Sequence, residues 1–471
     1  MDKQPLLKHL PGVDTILGEL DLHDYQLPRA YVLRVIRTQI QRMREEILAS
    51  ADVQSLDAEN INAEILARVR KQCQGRSTGS INPVINATGI VLHTGLGRAP
   101  LSDFAIKALN KVARGYSNLE FDLESGERGE RNDHVEDLLC ALTGAESALL
   151  VNNNAAAVML ALNTLSDTGE AIISRGQLVE IGGSFRIPEV MAKSGAVMVE
   201  VGTTNRTHLK DYSNAITEET QLILIAHTSN YKIEGFTANP ELSDVIELAH
   251  SHGLPVMFDL GSGALFEMNR FGLPSELVVS DIIESGVDVV TFSGDKLIGG
   301  PQAGLIVGRK NYLDKIKTNP MTRALRCDKL IFASMEATLQ TYVSAGERLM
   351  ETNLTYELLT RSNAELEDMG TRILNALDRD TIMALELEII DAETEAGSGS
   401  LPTEKLASKA LTIHSKTWTA NKIMRWMRTR DYPVIGYIKE EQCRFNLRTI
   451  LPEQIAPLSE AFNEITKAMN S

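Results

Sequence analysis

A chain of 471 residues with 43% hydrophobic and 23% charged side chains has room for two or three domains and an ordinary globular core. No apolar run approaches the ~18 residues of a membrane-spanning helix, and the first residues carry no signal-peptide pattern. A net charge of −16 argues against general affinity for nucleic acid, and four scattered cysteines without a CxxC pair point to a reducing cytoplasm and to no cysteine zinc site.

Residues 1–78 read as a small helical domain with its linker. Leu33, Ile36, Ile40, Met43 and Ile47 recur at helical steps, and a second helix is expected over 58–72. Between residues 29 and 44 stand five arginines and no acid: Arg29, Arg34, Arg37, Arg42 and Arg44. Residues 1–80 hold 11 basic and 11 acidic side chains, so the acidic excess lies further on. A segregated basic helix can bind a polyanion locally, or serve simply as a solvated face.

From about residue 79 to 345, strands and helices alternate. Apolar strands are expected at 147–151, 170–174, 196–201, 221–226, 254–259, 287–292 and 303–307, with helices at 132–142, 155–166, 188–194 and 240–252. Near-continuous apolar strands alternating with helices predict a mostly parallel sheet covered on both faces. Residues 346–471 read as a smaller α+β domain, with strands at 383–389, 434–439 and 443–449 and helices at 419–429 and 453–468. Ligands of such sheets bind beyond the carboxyl ends of the strands.

Three strand ends carry the chemistry. The strand ending at Val151 runs into Asn152-Asn153-Asn154-Ala155, and a helix start with small residues offers backbone N–H groups to a phosphate. The strand 254–259 ends in Asp259, an anion of the kind that keeps a pyridine nitrogen protonated. The strand 287–292 ends in Ser293-Gly294-Asp295-Lys296, followed by Gly299-Gly300. A lysine held there loses hydration, which lowers its pKa and makes the amine a nucleophile able to carry pyridoxal phosphate as a Schiff base. Ser293 adds a hydroxyl within reach of the same phosphate. Taken singly, these residues also fit an N-cap asparagine, a turn aspartate and a surface lysine.

The segments Asn86-Ala87-Thr88-Gly89-Ile90-Val91-Leu92-His93-Thr94-Gly95-Leu96-Gly97-Arg98 and Gly202-Thr203-Thr204-Asn205-Arg206-Thr207 resemble signatures of the bacterial selenocysteine synthases, the L-seryl-tRNA(Sec) selenium transferases. So do Ser174-Arg175-Gly176-Gln177-Leu178-Val179-Glu180, His227-Thr228-Ser229-Asn230-Tyr231-Lys232 and Ser293-Gly294-Asp295-Lys296. The resemblance covers nearly the whole chain; the loop Gly397-Ser398-Gly399-Ser400 is less glycine-rich than the family pattern. It implies a fold-type I pyridoxal phosphate transferase that converts seryl-tRNA(Sec) to selenocysteyl-tRNA(Sec) with selenophosphate, by β-elimination to an aminoacrylyl intermediate and addition of selenium. It also implies a ring-shaped homodecamer and an N-terminal domain that recognises the dedicated tRNA, which makes the five arginines RNA contacts.

On these residues the resemblance gives Lys296 the cofactor and the role of base, and Asp259 the ring nitrogen. Ser293, Asn153, Asn154, Ala155 and His227 become further cofactor contacts. Arg98, Arg323 and Arg326 become the selenophosphate pocket, the last two set three apart so that one helical turn aims both at one site. Asp295 orients or discharges groups beside the lysine. Lys232 is a rival Schiff-base lysine without a glycine-lined strand end. His93, Arg175 and Arg186 fit structural roles as well as the site. Arg448 occupies a place suited to a substrate carboxylate, which an ester to tRNA does not have. A lyase of the same superfamily acting on a small free amino acid or sugar acid, or a non-catalytic tRNA-binding protein, would share part of this pattern. The arginine-bearing N-terminal segment speaks against the first, and intact Lys296, Asp259 and Ser293 against the second.

Overall fold

The computed structural model describes residues 4–21, 25–49, 60–77, 79–181, 185–228, 231, 233–401 and 404–470. Two compact units divide the chain, Met1–Val84 and Ile85–Ser471.

In the first unit, helix α1 (Arg29–Ala49) packs on helix α2 (Ile61–Ser77). The buried stripe of α1 is Val32, Val35, Ile36, Gln39, Met43 and Ile47, so Leu33 and Ile40 flank it instead of forming it. It meets Ile61, Ile65, Val69 and Cys73 of α2, and Gln39 donates to the Gln72 side chain at 2.6 Å inside that seam. With one face spent on the seam, Arg29, Arg34, Arg37, Arg42 and Arg44 all face solvent. None of the five forms an ion pair among the described residues.

The second unit is built on a seven-stranded sheet. Its strands are β1 (Ser147–Val151), β2 (Glu170–Ser174), β3 (Val197–Val201), β4 (Thr220–Ala226), β5 (Val256–Gly261), β6 (Val289–Ser293) and β7 (Gly304–Gly308). Their spatial order is β1-β7-β6-β5-β4-β2-β3, and β7 alone runs antiparallel to its neighbours. The central strands are buried along their length, which is why the sequence shows apolar runs rather than alternation. Helix α3 (Asn154–Ser166) follows β1 directly, with Ala156, Ala157, Val158, Leu160 and Ala161 packed on the sheet.

A second, four-stranded antiparallel sheet lies toward the C-terminus: β8 (Glu388–Thr394), β9 (Leu406–Ile413), β10 (Tyr437–Lys439) and β11 (Gln442–Asn446), in the order β8-β9-β11-β10. Two expectations fail here. The strand expected at 383–389 is displaced, because Arg379–Ala384 is helical and the strand begins only at Glu388. The eight-residue strand β9 has no counterpart among the expected strands. Ile85–Asn86 pairs in parallel with Val434–Ile435, so the segment that opens this unit belongs to the C-terminal core. Conversely, Leu349, Tyr356, Leu358 and Leu359 pack with the large sheet, and the C-terminal core resumes only at Leu366, later than the expected boundary at 346. Cys73, Cys327 and Cys443 are buried and all four thiols are free. No helix among the described residues is long and apolar enough to cross a membrane.

Candidate functional site

The antiparallel β7 matters because it brings its first residue to the same edge at which β1 and β6 end. Gly304 sits between Val151 and Ser293 in the ladder. A Cβ on Gly304 would fall 2.1 Å from the Asn153 carbonyl oxygen and 2.9 Å from the Asn154 nitrogen, so only glycine lets β7 approach the start of α3. Gly304→Ala is therefore expected to cost ~1–3 kcal/mol by overpacking and to displace the helix start. Thermal unfolding should report it as a lowered Tm, and an unchanged Tm would contradict this account.

The asparagines at that helix start divide their work. Asn153 is the N-cap, its side chain accepting from the Ala156 N–H at 2.9 Å. Asn154 sends its side-chain amide to Asp259 Oδ1 at 2.9 Å. Both side chains are thus engaged within the protein, which leaves the expected backbone contact to a phosphate. The groups left for an anion are the first backbone N–H groups of the helix, at Asn154 and Ala155, which have no intrahelical partner.

Asp259 stands opposite Thr291 in the β5–β6 ladder, and the Thr291 hydroxyl donates to the same Oδ1 at 3.0 Å. Both hydrogen bonds thus fall on one oxygen. Oδ2 receives none among the described residues and remains an acceptor. Burial pushes the Asp259 pKa up, while the bonds from Asn154 and Thr291 and the charge of Lys296 pull it back. His227 follows β4, and its backbone N–H donates to the Asp259 carbonyl at 2.9 Å. Burial holds its imidazole below its ordinary pKa, against the pull of Glu276 and Asp259. Its Nδ1 is buried and has no hydrogen-bond partner among the described residues.

Lys296 is buried in the turn after β6. Desolvation lowers its pKa; Asp259 opposes that shift and Arg98 adds to it. The turn is held rigidly. Gly299 N donates to the Lys296 carbonyl at 2.9 Å and Gly300 N to the Gly294 carbonyl at 2.9 Å. The Tyr342 hydroxyl reaches the Ile298 carbonyl at 2.9 Å, and the Asn353 amide donates to that carbonyl at 2.8 Å. Ser293 is buried at the end of β6, beside Gly304.

A strap over residues 93–99 closes on this turn. Arg98 Nη1 bonds Asp295 Oδ2 at 2.8 Å, and Ala99 N donates to the Asp295 carbonyl at 3.3 Å. Asp295 therefore holds Arg98. His93 acts locally, its Nδ1 accepting from the Gly95 N–H at 3.2 Å. Arg323 lies on helix α4 (Pro320–Leu325), but that helix ends before Arg326, which is extended. The three-residue spacing is thus not one helical turn. Arg326 instead bridges to Val151, beside the asparagines, and pairs with Glu120 at 3.4 Å. Arg323 and Arg326 are both exposed.

Two residues here escaped the sequence reading. Thr291 is one; the other is Glu276. Its carboxylate accepts from the Ser262 hydroxyl and from Leu401 N, each at 3.4 Å, and acts electrostatically on both Lys296 and His227. It stands in an irregular stretch with no periodicity to mark it. A cavity of about 280 Å³ adjoins His227, lined by Gln177, Thr203, Thr204, Arg206 and Ile233 among others.

The remaining candidates are engaged elsewhere. Arg175 pairs with Glu200 at 3.0 Å, and Arg186 with Glu180 at 2.8 Å. Arg448 is buried and donates to the main-chain carbonyls of Leu358, Leu359, Arg361 and Ala407 at 2.9, 2.8, 2.9 and 2.5 Å. Lys232, with Ser229 and Asn230, lies outside the described residues. No cluster of His, Cys, Asp or Glu among the described residues is arranged to hold a metal ion.

Residues 84–451 match the family model described as L-seryl-tRNA selenium transferase, and residues 7–44 match that of the selenocysteine synthase N terminus. The L-seryl-tRNA(Sec) selenium transferase of Alkaliphilus oremlandii is 43% identical over 467 residues, spanning 99% of this chain and 100% of the relative. That of Carboxydothermus hydrogenoformans is 43% identical over 457 residues, spanning 97% of each. Among solved structures, D-glucosaminate-6-phosphate ammonia-lyase superposes with a TM-score of 0.59 at 18% identity, covering 83% of this chain and 98% of that one. That likeness is one of fold.

Proposed function

Because the chain belongs to the L-seryl-tRNA(Sec) selenium transferase family, we propose that it replaces the β-hydroxyl of serine, esterified to tRNA(Sec), with selenium from selenophosphate, to give selenocysteyl-tRNA(Sec) and phosphate, the hydroxyl leaving as water and the P–Se bond being hydrolysed. The observation that carries the chemistry is the buried pair Asp259, in the last half of β5, and Lys296, in the turn after the adjacent β6, beside the open N-terminus of α3. That set fits pyridoxal phosphate. Asp259 Oδ2 accepts no hydrogen bond among the described residues and is suited to a protonated ring nitrogen. The Asn154 and Ala155 amides and the Ser293 hydroxyl suit the phosphate, His227 lies beside them, and Lys296 supplies the amine.

When bound, the cofactor supplies a sink for the electron pair left at the serine Cα. The protein's own residues do the rest. Lys296, pushed toward its neutral form, takes the Cα proton and later returns it. Asp259 keeps a negative charge against the ring, with Asn154 and Thr291 fixing its direction. Arg98, Arg323 and Arg326 receive the selenophosphate dianion, and Asp295 fixes Arg98. Arg448, spent on carbonyls, suits a substrate whose carboxyl is esterified and uncharged. Arg29, Arg34, Arg37, Arg42 and Arg44 present the solvent face of α1 to the tRNA. The assembly is a homodecamer in the cytoplasm.

The test is conversion of seryl-tRNA(Sec) by the purified protein with selenophosphate. Release of selenocysteyl-tRNA(Sec) supports the reading, and turnover of free amino acids alone would replace it with the lyase reading. Within that assay, Arg98→Ala is expected to raise KM for selenophosphate by about 10–100-fold, the loss of one charged, forked contact. The spectral response to seryl-tRNA(Sec) should stay intact. An unchanged KM would remove Arg98 from the pocket.

A further inference from the structure

Helix α5 (Ala420–Thr429) buries Ile423, Met424 and Met427 in the C-terminal core and turns a basic face outward. Residues 414–430 hold five lysines and arginines and no acid, in a chain of net charge −16. Two of the five are neutralised: Lys416 pairs with Glu386 at 3.0 Å, and Arg430 with Glu464. Lys422, Arg425 and Arg428 are exposed and form no ion pair among the described residues. Spaced by three, they share one side of the helix. Both tryptophans of the chain flank that side, half-buried, each under a cation. Lys422 Nζ lies 3.9 Å from the Trp418 ring centroid and the Arg430 guanidinium 5.6 Å from that of Trp426.

What marks this helix is the grouping of its unpaired cations on one side, with no acid between residues 414 and 430. Three cations on one side of a helix, flanked by two half-buried indole rings, match a polyanion that also offers flat apolar faces, which is the chemistry of RNA. We propose that the exposed face of α5, through Lys422, Arg425 and Arg428 with Trp418 and Trp426, is a second contact surface for the sugar-phosphate backbone of the tRNA, separate from the arginines of α1. The inference rests on the proposed action on a tRNA-borne substrate. It divides affinity from recognition: backbone contacts hold the RNA in position and carry no sequence information.

The position of the tryptophans supplies the test. With both indoles on this face, tryptophan emission of the holoenzyme is a local reporter. Added tRNA(Sec) should quench or shift it. In the variant Lys422→Ala/Arg425→Ala/Arg428→Ala, anisotropy of labelled tRNA(Sec) should show affinity at least ~10-fold weaker. The slope of log affinity against log salt should fall by about 3. Cofactor absorbance and sedimentation should stay unchanged. Wild-type affinity and salt slope in this variant would overturn the proposal. So would an altered oligomeric state with unaltered RNA binding, which would make the face a protein interface. If Arg34→Ala/Arg37→Ala/Arg44→Ala weakens binding while the α5 variant does not, only this inference falls. If the wild type does not bind tRNA(Sec), the proposed function falls with it.

Discussion

Lys296→Ala is expected to lower turnover by at least ~10³-fold, because the variant loses a nucleophile and a general base in one side chain. The visible absorbance of lysine-bound cofactor should vanish with it, which separates this outcome from simple unfolding. Folding itself should survive, since the turn is held by main-chain bonds and by Tyr342 and Asn353, not by the lysine amine. The cofactor-free protein should in fact gain stability at neutral and acid pH. Burial holds the folded pKa of Lys296 below its ordinary 10.5, so the folded state binds fewer protons than the unfolded chain between the two values. Stability from this group therefore rises with pH through that window and is lowest below it. Removing the amine removes that penalty. A Lys296→Ala protein that keeps its visible band, or turns over within tenfold of wild type, would show that another residue carries the cofactor.

Asp259→Asn should lower turnover by about 10²–10³-fold, the scale of losing one preorganised charge opposite a reacting system. The substitution is conservative for packing, because an asparagine oxygen still accepts from Asn154 and Thr291. What it removes is the negative charge that holds a ring nitrogen protonated. Here the stability sign runs the other way. Burial raises the folded pKa of Asp259, so the wild type loses stability as pH climbs from the ordinary carboxylate range through the raised value. The cofactor-free Asp259→Asn protein should lack that loss and melt no lower than wild type at neutral pH. A variant that is both active and less stable would contradict the assignment. Since the charge is meant for the cofactor, loading wild type with cofactor should recover the stability that the buried carboxylate costs.

The readable parts of the site were those where chemistry coincides with a change of pattern. Lys296, Asp259 and the three asparagines each terminate an apolar run, and the polar break is itself the signal. Thr291 gave no such break, because a threonine inside Val289–Ser293 is an ordinary strand residue until the ladder sets it opposite Asp259. Glu276 sits where no period exists, and its neighbours Ser262 and Leu401 are distant in sequence. The spacing of Arg323 and Arg326 suggested a helix turn, but Asn152 N bonds the Leu325 carbonyl at 2.8 Å and the chain is drawn into extended pairing with β1. In the fold, the large-sheet strands were legible to within a few residues. Strand β9 was not, since the polar Ser408 and Lys409 interrupt its apolar residues and only pairing on both sides stabilises it. Arg448 occupies a place suited to a substrate carboxylate, but nothing in Phe445-Asn446-Leu447-Arg448 foretells that its side chain reaches back to carbonyls of residues 358–361.

The reversed direction of β7 has a mechanical consequence. Because β6 and β7 are antiparallel neighbours joined by residues 294–303, the amine-bearing turn and the strand that abuts the helix start form one hairpin. The separation between Lys296 and the first amides of α3 is thus gauged by a single covalent caliper rather than by two elements free to drift apart. One jaw is set by the register Gly304↔Ser293 and the other by Gly304↔Val151. A calibrated span of this kind tolerates sequence change along its faces but not a change in length. One residue inserted between Ser293 and Gly304 would reset the gauge and leave every side chain of the site present but out of measure.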